Sequence, residues 1–180
     1  MYPISRLVLT SIKALRENRS KPALSFNDVS ETSFLCRPWD LDMFMEMNNG
    51  RVITLFDIGR FHLAIRSGLS AVLKREGWGL VVAGSTIRYR KRVRLFDKVT
   101  MRTQVIGNDN RWVYICQSMW VKGEAASSIL LRTGVTEKGK VIDPERVKEA
   151  MGTADLTFPE SKWLQEWITS EEDRPWPPQP

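Results

Sequence analysis

The chain has 180 residues, of which 42% are hydrophobic, and 27 Lys and Arg against 21 Asp and Glu give a formal net charge of +6. This length and composition predict one globular domain and exclude disordered and fibrous classes. Two cysteines, Cys36 and Cys116, are too few for a disulfide scaffold and predict reduced thiols in a cytoplasmic protein. Neither a membrane-spanning run nor a signal peptide is expected.

A single histidine narrows the chemistry that the chain can perform. Ser-His-Asp sites, Cys-His sites and most zinc sites each need at least one well-placed imidazole. His62 lies within a helical run, residues 50–66, where a lone histidine is expected to be a core or surface residue. The sequence has no nucleophile elbow, no Walker A loop and no spaced Cys/His cluster, so no metal site is predicted.

The N-terminal segment predicts an amphipathic, basic helix, because apolar residues recur at spacings of three and four with basic residues between them. The apolar set is Ile4, Leu7, Val8, Ile12 and Leu15, and the basic set is Arg6, Lys13, Arg16 and Arg19. Such a helix can lie on the surface of its own domain. Peripheral membrane contact and a eukaryotic transit peptide are the alternatives.

A strand, a loop and a long helix come next. Residues 32–38 form a short apolar run that ends at Pro38 and is typical of a strand. A loop over residues 39–49 separates this run from a helical pattern over residues 50–66, which is apolar on nearly all sides. We expect this helix in the interior of the domain. A second helical piece, residues 70–76, ends at Gly77.

After this piece the pattern changes to strands. Segments rich in β-formers cover residues 80–91, 98–106, 111–121 and 125–136, and short polar turns between them predict an antiparallel meander. Asp143 and Pro144 then supply the N-cap and first turn of a helix that ends at Gly152. A short helix over residues 160–168 and a disordered proline-rich tail over residues 175–180 follow.

Together these elements predict an α+β fold of the hotdog type, in which a curved antiparallel sheet wraps around one long central helix. The predicted organisation is an N-terminal basic helix over residues 1–22, a hotdog domain over residues 23–142, and C-terminal helices with the proline-rich tail over residues 143–180. Because one helix leaves part of a sheet face uncovered, we expect a homodimer or a dimer of dimers.

The loop before the long helix reads RPWDLDMFMEMNNGR from Arg37 to Arg51. This segment resembles the acyl-CoA thioesterase superfamily with the hotdog fold, in particular the branch in which an Asp-x-Asp pair is followed by His-x-Asn-Asn and a helix. The similarity continues through residues 56–60, 84–90 and 111–112 and spans residues 1–168. It points to the subgroup typified by thioesterase superfamily member 6.

The resemblance implies hydrolysis of an acyl thioester without a metal or organic cofactor, with coenzyme A entering as part of the substrate. In that family the second Asp of the Asp-x-Asp pair is commonly the catalytic carboxylate, a role that falls on Asp42. Members usually join two sheets edge to edge and build the site from both chains. Glu46 stands where the family usually has His, so lost or altered activity is the alternative.

Elementary chemistry supports a thioester site at the same place. Hydrolysis puts negative charge on the carbonyl oxygen, and the first turn of a helix offers unpaired N–H groups and about half a positive charge. The N–H groups of Asn49, Gly50 or Arg51 are predicted to form an oxyanion hole, while Asn48 and Asn49 cap the helix or orient water. Asp42 would act as general base or as nucleophile.

Structural alternatives exist for each of these residues. Asp40 and Asp42 can instead hydrogen-bond backbone amides in a turn, and Asn48-Asn49 is also an ordinary helix cap.

Asp57 lies two turns into the helix on the same face as Gly50. A carboxylate inside an apolar helix needs a partner or a task. We expect either a substrate-facing role or an ion pair with Arg51 or Arg60.

Arginines alternate with apolar residues over residues 87–94. A continuous strand would place Arg88, Arg90, Arg92 and Arg94 on one face and turn Ile87, Tyr89 and Val93 inward. Arg88 and Arg90 are predicted to bind the phosphates of coenzyme A, and a solvated strand face or contact with an anionic membrane is the alternative. Nucleic acid is not expected, since aromatic platforms are lacking.

The sequence therefore predicts a cytoplasmic, homodimeric hotdog hydrolase of fatty acid metabolism that cleaves an acyl-CoA or a related acyl thioester. The alternative is a hotdog protein that binds acyl-CoA or an acyl chain without cleaving it. Turnover with release of free thiol distinguishes the two.

Overall fold

A computed structural model describes residues 2–178, so Met1 and the last two residues of the predicted proline-rich tail lie outside the described chain. The predicted helices and strands are present, with ends shifted by a few residues. In chain order they are α1 (Ile4–Ser20), β1 (Ser30–Leu35), α2 (Asn49–Arg66), α3 (Leu69–Glu76), β2 (Gly79–Tyr89), β3 (Lys98–Asn108), β4 (Val113–Val121), β5 (Glu124–Glu137), β6 (Lys140–Val141), α4 (Pro144–Met151) and α5 (Lys162–Glu172).

One antiparallel sheet forms the body of the domain, with the strand order β1-β3-β4-β5-β2 and with β6 added beside β5. The strands β3, β4 and β5 form an antiparallel meander, as predicted. The prediction is wrong for β2, which pairs with β5 at the edge of the sheet and not with β3. The pairing register shifts at Val82/Gly84, Val105/Gly107 and Met119/Trp120. Bulges of this kind bend and twist a sheet, which lets it curl around a helix.

The helix α2 lies in the concave side of this sheet. Leu55 and Phe56 are fully buried and belong to one apolar cluster with Val99, Met101 and Met119 of the sheet. The helix α2 can occupy this core because its side chains are apolar on nearly all sides, as its sequence predicts. The architecture is the hotdog fold.

The remaining helices cover the outside of this unit. Val147 of α4 packs with Val72 of α3 and Val135 of β5, and Leu164 of α5 packs with Tyr114 and Leu130. The side chain of Asp143 caps α4, as predicted. Among residues 2–178, the model contains no helix with the length and hydropathy that a membrane crossing requires.

The packing of α2 on the sheet predicts a stability effect at Gly59. A Cβ at this position would lie 2.8 Å from Met101 Cε and from Thr103 Oγ1, and 2.9 Å from Gln117 Nε2. The clash outweighs the gain of up to about 1 kcal/mol that alanine brings to a helix. Gly59→Ala should therefore lower the free energy of unfolding by about 1–2 kcal/mol in urea denaturation. The exposed Ser5→Ala in α1 is the control, and equal stability of both variants would contradict the close contact.

Candidate active site

The loop before α2 is organised around Asp40, which is completely buried. Its carboxylate lies 2.6 Å from Arg6 Nη2 of α1 and 3.3 Å from Arg51 Nε of α2. It also accepts a hydrogen bond from the N–H of Arg37 at 2.8 Å, and its backbone carbonyl accepts one from the N–H of Asn48 at 2.8 Å. Asp40 thus fixes both ends of the loop and both helices beside it.

Asp42 lies in a small hairpin within this loop. Its N–H donates to the carbonyl of Glu46 at 2.8 Å, and its Oδ1 accepts from the N–H of Phe44 at 2.8 Å. The turn alternative for Asp42 is therefore observed. The hairpin tip exposes Met43, Phe44 and Met45 by 85%, 73% and 62%, an apolar surface next to a partly exposed carboxylate.

The first turn of α2 has its N-cap at Asn48, whose Oδ1 accepts from the N–H of Arg51 at 3.2 Å. The backbone N–H of Arg51 is therefore occupied, and its guanidinium lies against Asp40. The N–H groups of Asn49 and Gly50 belong to the first turn, which has no intrahelical acceptors for them. The set of predicted oxyanion donors is thus reduced to these two.

A cavity of about 190 Å³ opens beside this turn, and Glu46, Asn49, Tyr89, Arg90 and Arg92 contribute to its wall. Tyr89 Oη donates to the carbonyl of Asn49 at 3.3 Å, and burial raises the pKa of its phenol. Arg92 Nε lies 2.8 Å from Glu46 Oε2, an ionic contact that joins the strand end to the loop. Neither Asp42 nor Arg88 lies in the wall of this cavity.

The arginine pattern after β2 differs from the prediction, because β2 ends at Tyr89. The N–H groups of Arg90 and Lys91 both donate to the carbonyl of Ala126, at 2.8 and 3.0 Å, so the alternation of a strand stops there. The expectation that Arg88 to Arg94 share one face is therefore wrong. Val93 is buried as predicted, whereas Tyr89 is 41% exposed because it lies over the cavity rather than in the core.

Asp57 lies in the wall of a second cavity of about 250 Å³, between α2 and the sheet, which is lined mainly by apolar residues that include Phe61, Leu80, Val81 and Val82. Its carboxylate accepts from Tyr2 Oη at 2.7 Å and from Arg60 Nη2 at 2.8 Å, so the ion-pair alternative with Arg60 is observed. Arg60 also donates to the buried Gln117 at 2.9 Å. Asp42 lies in the wall of neither of these two cavities.

His62 is a core residue, as predicted, and is 1% exposed. Its Nδ1 hydrogen-bonds Ser30 Oγ at 2.7 Å, and its Nε2 lies 3.4 Å from Glu17 Oε2. Ser30, His62 and Glu17 are thus in contact in the order that a catalytic triad would have. Ser30 is only 1% exposed, however, so a substrate cannot reach its hydroxyl group. Burial lowers the pKa of the imidazole to about 4.

Residues 2–178 contain neither an activated cysteine nor a cluster of side chains that could bind a metal ion. Both cysteines are free thiols. Burial raises the pKa of Cys36 to about 11 and raises that of Cys116 as well, so both are protonated at neutral pH and are poor nucleophiles. No group of three or more His, Cys, Asp or Glu side chains in this part of the chain is arranged to hold a metal ion.

Comparison with known proteins identifies the family. The model of the Thioesterase-like superfamily matches residues 36–167, and the chain belongs to this superfamily. Protein THEM6 of Xenopus laevis is 32% identical over 126 residues, which cover 68% of this chain and 58% of that protein. The chain therefore spans less than two thirds of the length of this relative.

Solved structures show the same fold. The probable thioesterase YbaW from Escherichia coli superposes with a TM-score of 0.64 at 18% identity and covers 69% of this chain and 98% of its own. The protein SAV2348 from Staphylococcus aureus, solved in complex with CoA, superposes with a TM-score of 0.63 at 13% identity and covers 78% of this chain and 92% of its own.

The sequence did not reveal the role of Asp40 or the second cavity. An Asp-x-Asp pair gives no sign of which carboxylate is buried, because Arg6 lies 34 positions away along the chain. The sequence also gave no indication that Glu46 forms an ion pair with Arg92, because the two residues are 46 positions apart along the chain.

The buried His62 predicts a pH dependence of stability. Its folded-state pKa of about 4 lies below the ordinary value of 6.5, so the unfolded chain binds a proton more readily. Stability is present in full above pH 6.5 and is lost as the pH falls toward 4. Between pH 7 and pH 5 the loss should be about 2 kcal/mol in urea denaturation. His62→Gln should flatten this dependence, and an unchanged slope would contradict the assignment.

Proposed function

We propose that this protein hydrolyses an acyl thioester of coenzyme A at the N-terminus of α2. The observation that carries the proposal is the cavity beside the first turn of α2, where Asn49 lies in the wall together with Arg90, Lys91 and Arg92. The first-turn N–H groups of Asn49 and of the adjacent Gly50 have no acceptor within the helix. A thioester carbonyl held there would have its developing negative charge stabilised by two amides and the helix dipole. Each such donor is worth about 10²–10³ in rate.

Asp42 lies outside the wall of this cavity, but its N–H is hydrogen-bonded to Glu46, which belongs to the wall. In the proposed reaction Asp42 takes a proton from water as the water oxygen attacks the carbonyl carbon. The tetrahedral intermediate collapses with cleavage of the C–S bond, and the protonated Asp42 returns its proton to the leaving sulfur, which gives a free acid and free thiol and regenerates the carboxylate. The alternative route is direct attack by the carboxylate, which forms an anhydride that water then hydrolyses. Asn48 acts by capping the helix and thereby holding the amides in place.

Arg88 and Arg90 are the proposed contacts for the phosphates of coenzyme A. Arg90 contributes to the cavity wall, and Arg88 is exposed one residue before the end of β2. Arginine suits phosphate because its planar guanidinium donates two parallel hydrogen bonds. The S. aureus protein of the same fold was solved with CoA bound, which supports this class of ligand.

A homodimer through β2 completes the proposed site. This strand has 11 residues and ends the sheet, and it exposes Leu80 by 53%, Val81 by 38% and Val82 by 49%. A long apolar edge with unpaired backbone groups is a template for pairing with another strand. A symmetric pairing that keeps both copies of α2 on one face runs β2 antiparallel to its copy.

Such pairing would join the two cavities described above. The cavity at Asn49 lies near the end of β2, whereas the apolar cavity with Asp57 lies near its beginning. Antiparallel strands place the end of one beside the beginning of the other. The amides and arginines of one subunit would then face the apolar cavity of its partner, which we propose holds the acyl chain.

This arrangement gives Asp57 a place in the reaction as the second candidate carboxylate. It lies at the wall of the proposed acyl cavity and is held by Tyr2 and Arg60. Both of its carboxylate oxygens already accept hydrogen bonds, Oδ2 from Tyr2 and Oδ1 from Arg60. Asp42 Oδ1 accepts from one amide at the exposed hairpin, and we assign the role of base to Asp42 in our proposal.

A second candidate function is binding of an acyl-CoA without hydrolysis. The contact between Glu46 and Arg92 favours it, because the position where the family usually has His is engaged in an ion pair. Location in the cytoplasm, with a role in fatty acid metabolism, is also proposed; free thiols fit a reducing compartment.

The catalytic assignment is tested by release of free thiol from a panel of acyl-CoA substrates. Asp42→Asn should lower the rate by about 10²–10⁴, because removal of a general base has this effect. Asp57→Asn should lower it less. Asp28→Asn, a carboxylate that caps the amide of Ser25 outside the site, is the matched control and should leave the rate unchanged.

Three results would change the proposal. Equal rates for Asp42→Asn and the wild type would remove Asp42 from the reaction, and a loss confined to Asp57→Asn would transfer the role to Asp57. Tight binding of acyl-CoA by the wild type with no release of thiol would favour the binding protein.

The dimer is tested by sedimentation equilibrium. Val82→Lys should convert the assembly to monomers, because a charge on a paired edge strand opposes association. Val29→Lys is a matched control, since Val29 is 48% exposed before β1 at the other edge of the sheet. A monomeric wild type, or a Val82→Lys variant with the mass of the wild type, would contradict the interface.

A further inference from the structure

The helix α1 is attached to the domain mainly through polar groups. Arg6 contacts Asp40, and Glu17 Oε2 lies 3.4 Å from His62 Nε2 and 3.5 Å from Arg66 Nε. Asn18 donates to the carbonyl of Ile65 at 2.9 Å. Ala14 is the one fully buried residue among the described residues of this helix. The inward face of α1 is therefore polar, which is the reverse of an ordinary surface helix.

The outward face of α1 is apolar. We define this outer face by five exposed side chains and their exposed fractions: Ile4 64%, Val8 49%, Leu9 67%, Ile12 41% and Leu15 56%. At 3.6 residues per turn, four of them, at positions 4, 8, 12 and 15, form a continuous stripe along the helix, and Leu9 widens it. No part of residues 2–178 covers this stripe, although each residue would gain free energy on leaving water.

The charges beside the outer face are positive. Arg16 and Arg19 are exposed, and the side chain of Lys13 is 48% exposed. Glu17 is the single acidic residue of α1, and it is turned inward toward His62 and Arg66. An apolar stripe whose exposed charged neighbours are Lys13, Arg16 and Arg19 matches the surface of an anionic bilayer, where apolar side chains reach the acyl boundary and basic side chains meet phosphates.

The outer face also remains free in the proposed dimer. Arg6 donates to the carbonyl of Leu35 at the end of β1, so the start of α1 lies near the edge formed by β1. The strand β2 forms the opposite edge of the sheet. Pairing through β2 therefore leaves the α1 stripe exposed.

We propose that the outer face of α1 binds the surface of an anionic lipid bilayer. The helix lies in the plane of the interface, with the stripe at the boundary of headgroups and acyl chains and with Arg16 and Arg19 at lipid phosphates. The domain is thus held at a membrane without crossing it. This inference is independent of thioester hydrolysis, and the two can fail separately.

The test is sedimentation of the full chain with vesicles of phosphatidylcholine alone or mixed with phosphatidylserine. The wild type should bind the mixed vesicles and bind the neutral vesicles far less. Arg16→Gln with Arg19→Gln should weaken binding about 30-fold, since each basic residue at such a surface is worth about a fivefold change. Leu9→Gln with Leu15→Gln should weaken it about 100-fold while preserving helix propensity.

Control variants remove positive charge or apolar surface at places outside α1. Lys122→Gln with Lys162→Gln removes two basic groups that are 86% and 91% exposed, and Phe96→Gln removes an apolar side chain that is 61% exposed. These controls should bind mixed vesicles like the wild type. Circular dichroism and thermal unfolding show that each variant is folded.

The proposal is overturned if the wild type does not bind mixed vesicles, binds both vesicle types equally, or if the lysine control weakens binding as much as the arginine pair. It is also overturned if the leucine variant lowers the mass of the assembly in solution without any lipid effect. That result would assign the outer face to a second copy of the chain.

Discussion

A buried carboxylate between two arginines is the interaction on which the candidate site depends. Asp40 is out of contact with water and joins α1, the loop and the first turn of α2 through Arg6 and Arg51. An ion pair of this kind adds little net stability over an apolar substitute, but loss of one partner costs about 3–5 kcal/mol because a charge is left buried. The main effect of this ion pair is on geometry, because Asp40 holds Arg51 and Asn48 and thereby orients the first turn of α2, which carries the amides of Asn49 and Gly50.

Two cavities beside α2 differ in chemical character. Amides and arginines gather at the start of the helix, whereas the apolar space lies two turns further on beside Asp57. A single subunit therefore holds the polar and the apolar halves of the proposed thioester site apart. The exposed edge β2 supplies a physical reason for joining them, because the symmetry of a dimer brings unlike ends of one strand together.

Periodicity and turn chemistry predicted the fold well, because α2 is apolar all round and the meander has short polar turns. The site was predicted less completely. The cap at Asn48 and the ion pair of Asp57 with Arg60 are local, and both were among the alternatives that the sequence left open. The partners of Asp40 and Glu46 lie far along the chain. Alternation failed after Tyr89 because two amides share the carbonyl of Ala126, which sequence cannot indicate.

The contacts of α1 with Asp40, His62 and Arg66 determine how short a fragment of this chain can be and still keep the loop before α2 in place. The superfamily match begins at residue 36, after α1 has ended. A recombinant fragment trimmed to that boundary would lose the cation that neutralises Asp40 and the carboxylate beside His62 and Arg66. The autonomous folding unit is therefore longer than the segment by which relatives are recognised, and it starts no later than the first turn of α1.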